Sequence, residues 1–168
     1  MKRITPASVL GFMQEAATNH AQLLGLGYHE CMKYGFIWVL RSTKYEFDRV
    51  PMLNEVLEVH TWPAGIEGLK ELRRFDFYLD NQKIGQGYNY WLMMDVAVMK
   101  PKMYQYFIER TKHLPITEED YFKLPKIKAL KEMKFSYEKT VKNSDLDWNK
   151  HVNNVRYAEI VFNAIPLE

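Results

Sequence analysis

A single slim helical segment runs directly into a series of long alternating runs, and this order constrains the fold more than any other feature of the chain. Thr5-Pro6 reads as a helix start, because Thr can cap and Pro suits the first helical position. Val9, Met13, Ala16, Ala17, His20 and Leu24 then recur at helical spacing, until Gly25 and Gly27 offer an end. Gly11, Ala16, Ala17 and Ala21 keep this helix thin enough for a sheet to wrap closely. After Gly35 the period changes to two. Tyr45 and Phe47 alternate with Lys44, Glu46 and Asp48; Leu57, Val59 and Thr61 with Glu58 and His60; Phe75, Phe77 and Leu79 with Arg74, Asp76 and Tyr78. Tyr88, Tyr90, Leu92, Met94, Val96 and Val98 are expected to share one face of a long last strand. Val50-Pro51, Pro63-Ala64-Gly65 and Asp80-Asn81 read as turns between strands. Consecutive strands joined this directly imply a largely antiparallel sheet. The expected class is α+β: a long helix on the concave face of about four strands, which is the hotdog arrangement.

Residues 1–105 form the first unit on this reading. Residues 106–133 read as a connector rich in Lys and Pro, with short helical stretches at Tyr104–Arg110 and Glu118–Phe122. Residues 134–168 resemble the start of a second unit, with a strand at Phe135–Val141 and a helix at Val152–Ala164. The two helix entries superpose: Lys2-Arg3-Ile4-Thr5 lies over Lys150-His151-Val152-Asn153, an offset of 148 residues. The second helix has a strand before it and the first does not. A two-repeat protein of this kind is therefore expected to extend beyond this chain at both ends.

Composition excludes several classes. Hydrophobic residues make up 47% and aromatics 14%, enough for a real core and against disorder. The formal charge of +2 gives no global drive toward nucleic acid, and no basic-aromatic motif of the known kinds occurs. No window has the roughly 18 apolar residues that a membrane span needs, and the N-terminus lacks a signal-peptide core. The lone Cys31 permits no internal disulfide and fits a reducing, cytoplasmic setting, where it reads as a packed residue. The five histidines are scattered without ligand spacing, so neither a metal nor another cofactor is expected.

The densest polar run is Ser144-Asp145-Leu146-Asp147-Trp148-Asn149-Lys150-His151-Val152-Asn153-Asn154-Val155-Arg156-Tyr157, at a strand-to-helix junction. Asp147, Asn149 and His151 alternate, so an extended segment would point them the same way. A carboxylate, an amide and an imidazole at a helix N-terminus suit hydrolysis. The helix end can polarise a carbonyl or hold an oxyanion, and the imidazole can move a proton near neutral pH. Asp147, Asn149 and Asn153 equally suit capping and turn roles.

The run DLDWNKHVNNVRYAE resembles the signature of acyl-ACP thioesterases, the class that includes plant enzymes and bacterial relatives. GFMQEAATNHAQLLGLGY resembles that family's first hotdog helix. Trp38-Val39-Leu40-Arg41, Arg49-Val50-Pro51, Val59-His60-Thr61-Trp62-Pro63 and Tyr90-Trp91-Leu92-Met93-Met94-Asp95 resemble its successive strands. The D-x-N-x-H-V-N-N run occurs more loosely in single-hotdog acyl-CoA thioesterases; the upstream matches favour the carrier-protein branch. The resemblance implies two tandem hotdog repeats, with an acyl tunnel in the first and catalytic residues at the helix of the second. Asp147, Asn149 and His151 match the catalytic Asp, Asn and His. His151 and Asn149 would position and polarise the thioester and the attacking water, while Asp147 orients them or assists as base. The family's further acidic residue and a neighbouring cysteine fall beyond the last residue of this chain. For the tunnel wall, the reading names Met13, Ala16, Ala17, His20, Trp38 and Trp91, although apolar residues on such faces are also ordinary core.

The implied partner is acyl carrier protein, an acidic protein that calls for basic docking residues: Lys70, Arg73, Arg74, Lys100, Lys102, Arg110 and Lys112 are candidates. An open sheet edge in the second unit could pair with another copy, giving a homodimer. Two other readings fit the same fold: an acyl-CoA thioesterase, and a module that binds acyl chains without cleaving them. A hotdog dehydratase lacks its usual His-plus-acid pair around Gln14-Glu15.

Overall fold

Thr5 sits in an extended conformation and its hydroxyl accepts from the Ser8 backbone N–H at 3.1 Å, so α1 (Pro6–Leu23) starts where the sequence places it. The structure is a computed structural model and describes residues 3–117, 120, 122–128, 131–147 and 149–165. The expected helix at Glu118–Phe122, Trp148 of the polar run, and Lys2 of the repeat lie wholly or partly outside the described residues. A short helix, α2 (Tyr28–Lys33), follows α1 after Gly25, whose φ of 70° suits glycine.

Four strands come next: β1 (Phe36–Phe47), β2 (Glu58–Glu67), β3 (Lys70–Leu79) and β4 (Gln82–Asp95). They pair antiparallel in the order β1-β4-β3-β2, and a two-residue strand, β5 (Lys100–Pro101), adds to the end of β4. The helix α3 (Gln105–Thr111) and, after a 3-10 turn at Asn143–Asp145, the helix α4 (Asn154–Asn163) complete the elements. Asp80 and Asn81 both hold positive φ (49° and 64°), the signature of a tight hairpin turn between β3 and β4.

Val9, Leu10, Met13 and Ala17 of α1 bury against Phe75, Phe77, Leu79 and Ile84, with Val155 and Ala158 of α4 closing one side. The helix-facing row of β4 is set by its pairing: Gly85 opposite Phe77 and Gly87 opposite Phe75. Both glycines are required by space. A Cβ on Gly87 would lie 2.8 Å from Met13 Cε, and one on Gly85 would lie 2.6 Å from the Glu46 carbonyl oxygen. This is a hotdog fold of the α+β class.

Several expectations change. Pro63-Ala64-Gly65 is a bulge inside β2, not a turn: the register slips between Pro63 and Gly65, and Gly65 takes φ 118°. The chain reverses instead next to Gly68, at φ 62°. The last strand stops at Asp95, whose carboxylate accepts from the N–H groups of Ala97 and Val98, so Val96 and Val98 lie in a turn. Tyr90 faces away from α1 and packs on Ala64, Leu72, Phe122 and Leu124. Phe135–Val141 forms no strand: no backbone ladder joins it to another described segment. Side chains tether it instead: Tyr137 Oη donates to the Ile160 carbonyl at 2.6 Å, and Lys139 Nζ reaches Asp145 at 3.1 Å.

Candidate active site

The polar run folds as a tight turn rather than as an extended segment. Leu146 and Val152 form an isolated antiparallel bridge, the Asp147 N–H donates to the His151 carbonyl at 2.8 Å, and Lys150 takes φ 60° at the tip. The Asp147 carboxylate organises this turn from inside. Its Oδ1 accepts from the backbone N–H of Asn149 at 2.8 Å and of His151 at 3.1 Å. Asn153 caps α4 by accepting from the Val155 N–H at 2.9 Å, and its own N–H donates to the Asp145 carbonyl.

Asp145 fixes the turn to the molecule. Its buried carboxylate accepts from the Lys142 N–H at 2.9 Å and from Lys139 Nζ, with Arg156 Nε 3.7 Å away. These contacts, the backbone donor first, hold its pKa below the usual carboxylate range. Arg156 also makes a bidentate pair with Glu159, both distances 2.8 Å.

Two hollows meet at the turn. A half-open cavity of about 190 Å³ lies between α1 and the sheet, and Ala17, Trp38, Trp91, Glu71, Arg73 and Cys31 are among its lining. A wider groove of about 830 Å³ runs between α4 and β1. Asp147, Asn149 and Asn154 border both hollows, whereas His151 borders the groove and is exposed. Asn154 Nδ2 also reaches Gln14 Oε1 of α1, at 3.5 Å.

The expected tunnel residues divide. Ala17, Trp38 and Trp91 line the cavity; Met13 is wholly enclosed in the core, and Ala16 is half-buried on α1. His20 is tied to Arg73, whose Nη1 donates to Nδ1 at 3.1 Å, so Nδ1 carries no proton. Burial and then the Arg73 charge lower the His20 pKa. Cys31 is buried, its thiol donates to the Leu26 carbonyl, and burial pushes its pKa up to about 12, which suits packing and not attack.

Arg73 leaves the docking surface. It is 5% exposed, its Nη2 lies 3.5 Å from Glu71 Oε1, and its Nη1 also donates to Thr61 Oγ1 at 3.4 Å. Burial raises the Glu71 pKa to about 7 against the pull of Arg73. Lys70 pairs with Glu67 at 2.5 Å, and Arg74 lies 3.7 Å from Asp120 and over the rings of Trp62 and Tyr88. Lys100, Lys102, Arg110 and Lys112 remain exposed around β5 and α3. Sequence reasoning missed Glu71, Asn154 and Gln14 as site residues. Glu71 and Arg73 are in phase with Phe75 and Phe77 along β3, and that parity is the signal that could have found them.

The profile of the acyl-ACP thioesterase N-terminal domain matches residues 1–105, and that of the acyl-ACP thioesterase C-terminal domain matches residues 127–168. An oleoyl-acyl carrier protein thioesterase, chloroplastic, from Coriandrum sativum is 30% identical over 187 residues, covering 99% of this chain and 50% of its own length. A palmitoyl-acyl carrier protein thioesterase, chloroplastic, from Gossypium hirsutum is 30% identical over 179 residues, covering 95% and 42%. The chain thus spans about half the length of the curated relatives it matches. A crystal structure of an acyl-ACP thioesterase from Bacteroides thetaiotaomicron superposes with a TM-score of 0.72 at 26% identity, covering 98% of this chain and 67% of the other. The 12:0-ACP thioesterase from Umbellularia californica superposes at 0.76 with 22% identity, covering 98% and 69%, a likeness of fold.

Proposed function

This chain belongs to the acyl-ACP thioesterase family, and we propose that its protein hydrolyses the thioester of fatty acyl-acyl carrier protein. The observation that carries this reading is the position of Asp147 and Asn149, which border both the half-open cavity beside α1 and the surface groove. The acyl chain enters the cavity past Ala17, Trp38 and Trp91, and its thioester rests at the turn. His151 accepts a proton from a water as the water oxygen attacks the carbonyl carbon. Asn149 donates its side-chain N–H to the carbonyl oxygen as charge develops there. The carbon–sulfur bond then breaks, and His151 returns the proton to the sulfur. Free fatty acid and the carrier thiol leave. Asp147 keeps Asn149 and His151 in register through their backbone N–H groups. No covalent step is needed, in keeping with the buried, high-pKa Cys31.

Exposed Lys100, Lys102, Arg110 and Lys112 offer a basic surface for the acidic carrier, a homodimer would use surface left open by α4 and β1, and the setting is cytoplasmic; all are part of the proposal. The test is hydrolysis of acyl-ACPs of several lengths by this 168-residue chain and by a form extended to the length of its relatives, each beside its His151→Ala variant. Release of free acid, lowered about 10²- to 10⁴-fold by His151→Ala, is expected. Near wild-type rates in the variant would overturn the role of His151. Faster cleavage of acyl-CoA than of acyl-ACP would move the reading to a CoA thioesterase.

A further inference from the structure

Among the described residues, Trp38, Asp147, Asn149 and Asn154 border both the half-open cavity and the groove. The first two have their polar atoms engaged: Trp38 Nε1 donates to the Leu26 carbonyl at 3.3 Å, and Asp147 Oδ1 accepts the N–H groups of Asn149 and His151. Asn154 is the first residue of α4 and is half-buried. Its side chain is not needed as a cap, because Asn153 Oδ1 already accepts the Val155 N–H at 2.9 Å. Asparagine is also a weak helix former, since its amide competes for backbone groups, so the helix gains nothing from it at this position. The Asn154 amide points instead at α1, where Nδ2 donates to Gln14 Oε1 at 3.5 Å. The two helices approach closely here: a Cβ on Gly11 would lie 4.0 Å from Val155 Cγ2. Gln14 is half-buried and lines the cavity.

We propose that Asn154 is a second donor to the thioester carbonyl oxygen, beside Asn149, and that Gln14 is the positioning residue that aims it. The inference rests on the thioesterase reading and adds two residues to that site. A carboxamide nitrogen carries two N–H groups. One is held by Gln14 Oε1, which fixes the nitrogen end of the Asn154 amide toward α1 and the cavity. The other is left for a ligand where cavity and groove meet. His151 borders the groove, so the attacking water approaches from that side while the carbonyl oxygen lies between the two amides. Charge developing on that oxygen is held best by donors that are already oriented, because none of them must turn as the reaction proceeds.

The test is the kcat and KM of acyl-ACP hydrolysis, by this chain and by the form extended to the length of its relatives, with melting curves alongside. Asn154→Ala, and the isosteric Asn154→Asp that has no N–H, should each lower kcat about 10²-fold with KM little changed. Gln14→Glu keeps the acceptor and should stay within about threefold of the parent, whereas Gln14→Met removes it and should lose about tenfold in kcat. Adding Gln14→Met to Asn154→Ala should cost nothing further, a non-additivity that two independent structural roles would not produce. Losses of the two substitutions that simply add overturn the positioning role of Gln14. Near-parental kcat in both Asn154 variants, or a loss confined to KM, overturns the inference and leaves the thioesterase reading standing on Asn149 and His151. Hydrolysis by neither form of the parent protein defeats both.

Discussion

At the residue scale the site depends on carboxylates that each do something different. Asp147 accepts two backbone N–H groups through one oxygen. An asparagine side chain keeps a carbonyl oxygen at that position, so Asp147→Asn should preserve the turn and change the thermal midpoint by only a degree or two. Asp147→Ala leaves two N–H groups without their acceptor and should cost about 1–2 kcal/mol. If Asp147 also assists proton transfer, the Asn variant should lose activity while keeping its melting point, a split that paired melting and rate measurements read directly. Glu71 acts on stability with the opposite sign to an ordinary surface acid. Its folded pKa of about 7 lies above the unfolded value, so the folded state binds more protons between these limits. Stability from this group falls as pH rises from about 4.5 to 7. His20 opposes it: its lowered pKa makes stability fall as pH drops below its unfolded value of 6.5. Arg73, which touches both, stays charged across this range. Glu71→Gln should therefore remove the falling limb and leave the midpoint rising with pH over the His20 range. A profile identical to wild type would show that Glu71 is ionised in the fold. The gathering of Asp147, Asn149 and His151 at the entry to α4 was legible in the sequence as a dense polar run, whereas their expected extended alternation was not, because the run closes as a turn around the Asp147 carboxylate. The burial of the Glu71–Arg73 pair was not legible either, because a carboxylate and a guanidinium are ordinarily solvated and only their parity with Phe75 and Phe77 marks them as inward.

At the scale of elements, β4 carries its constraint in two small residues. Gly85 and Gly87 let Phe47, Met13 and the Phe75–Phe77 row close on the strand. They differ in what a methyl would meet. At Gly87 it meets the flexible end of Met13, which can turn aside; at Gly85 it meets the Glu46 carbonyl and the Phe47 ring, and the backbone of β1 cannot yield. Gly85→Ala should cost about 1–3 kcal/mol and Gly87→Ala less, as chemical denaturation will rank them. The reverse order would mean that β1 and β4 part easily. Helix α1 was fully legible, since its cap, proline and small-residue stripe agree. The strands were legible in number and in their antiparallel sense, but their order in the sheet and their ends were not. Pro63-Ala64-Gly65 carries turn residues yet serves a bulge, because bulges and turns ask for the same backbone freedom. Phe135–Val141 has a strand's composition without a strand's partner, and pairing is not written in one segment alone.

At the scale of the whole molecule the two helices are built to one plan. Thr5 caps α1 and Asn153 caps α4, 148 residues apart, the same offset that relates Lys2 to Lys150 in sequence. Their surroundings differ. The face of α1 is covered by the sheet, whereas α4 shows Tyr157, Val161 and Phe162 to solvent, with Ile165 just after it, each more than half exposed. These side chains border the groove beside β1, which stands at one edge of the described sheet and offers its outer backbone groups there. An apolar helix face next to a long open strand edge is a surface that associates. This chain alone should therefore sediment as a mixture whose average mass rises with concentration. Val161→Lys together with Phe162→Glu should weaken that association about tenfold or more, yet leave the melting point nearly unchanged, since substitutions at exposed positions rarely shift stability by more than about 0.5 kcal/mol. A chain that stays monomeric through the micromolar range would show that the groove closes on itself, α4 folding down onto β1. In that case the same double substitution should lower the melting point instead, so sedimentation and melting together decide which surface α4 covers.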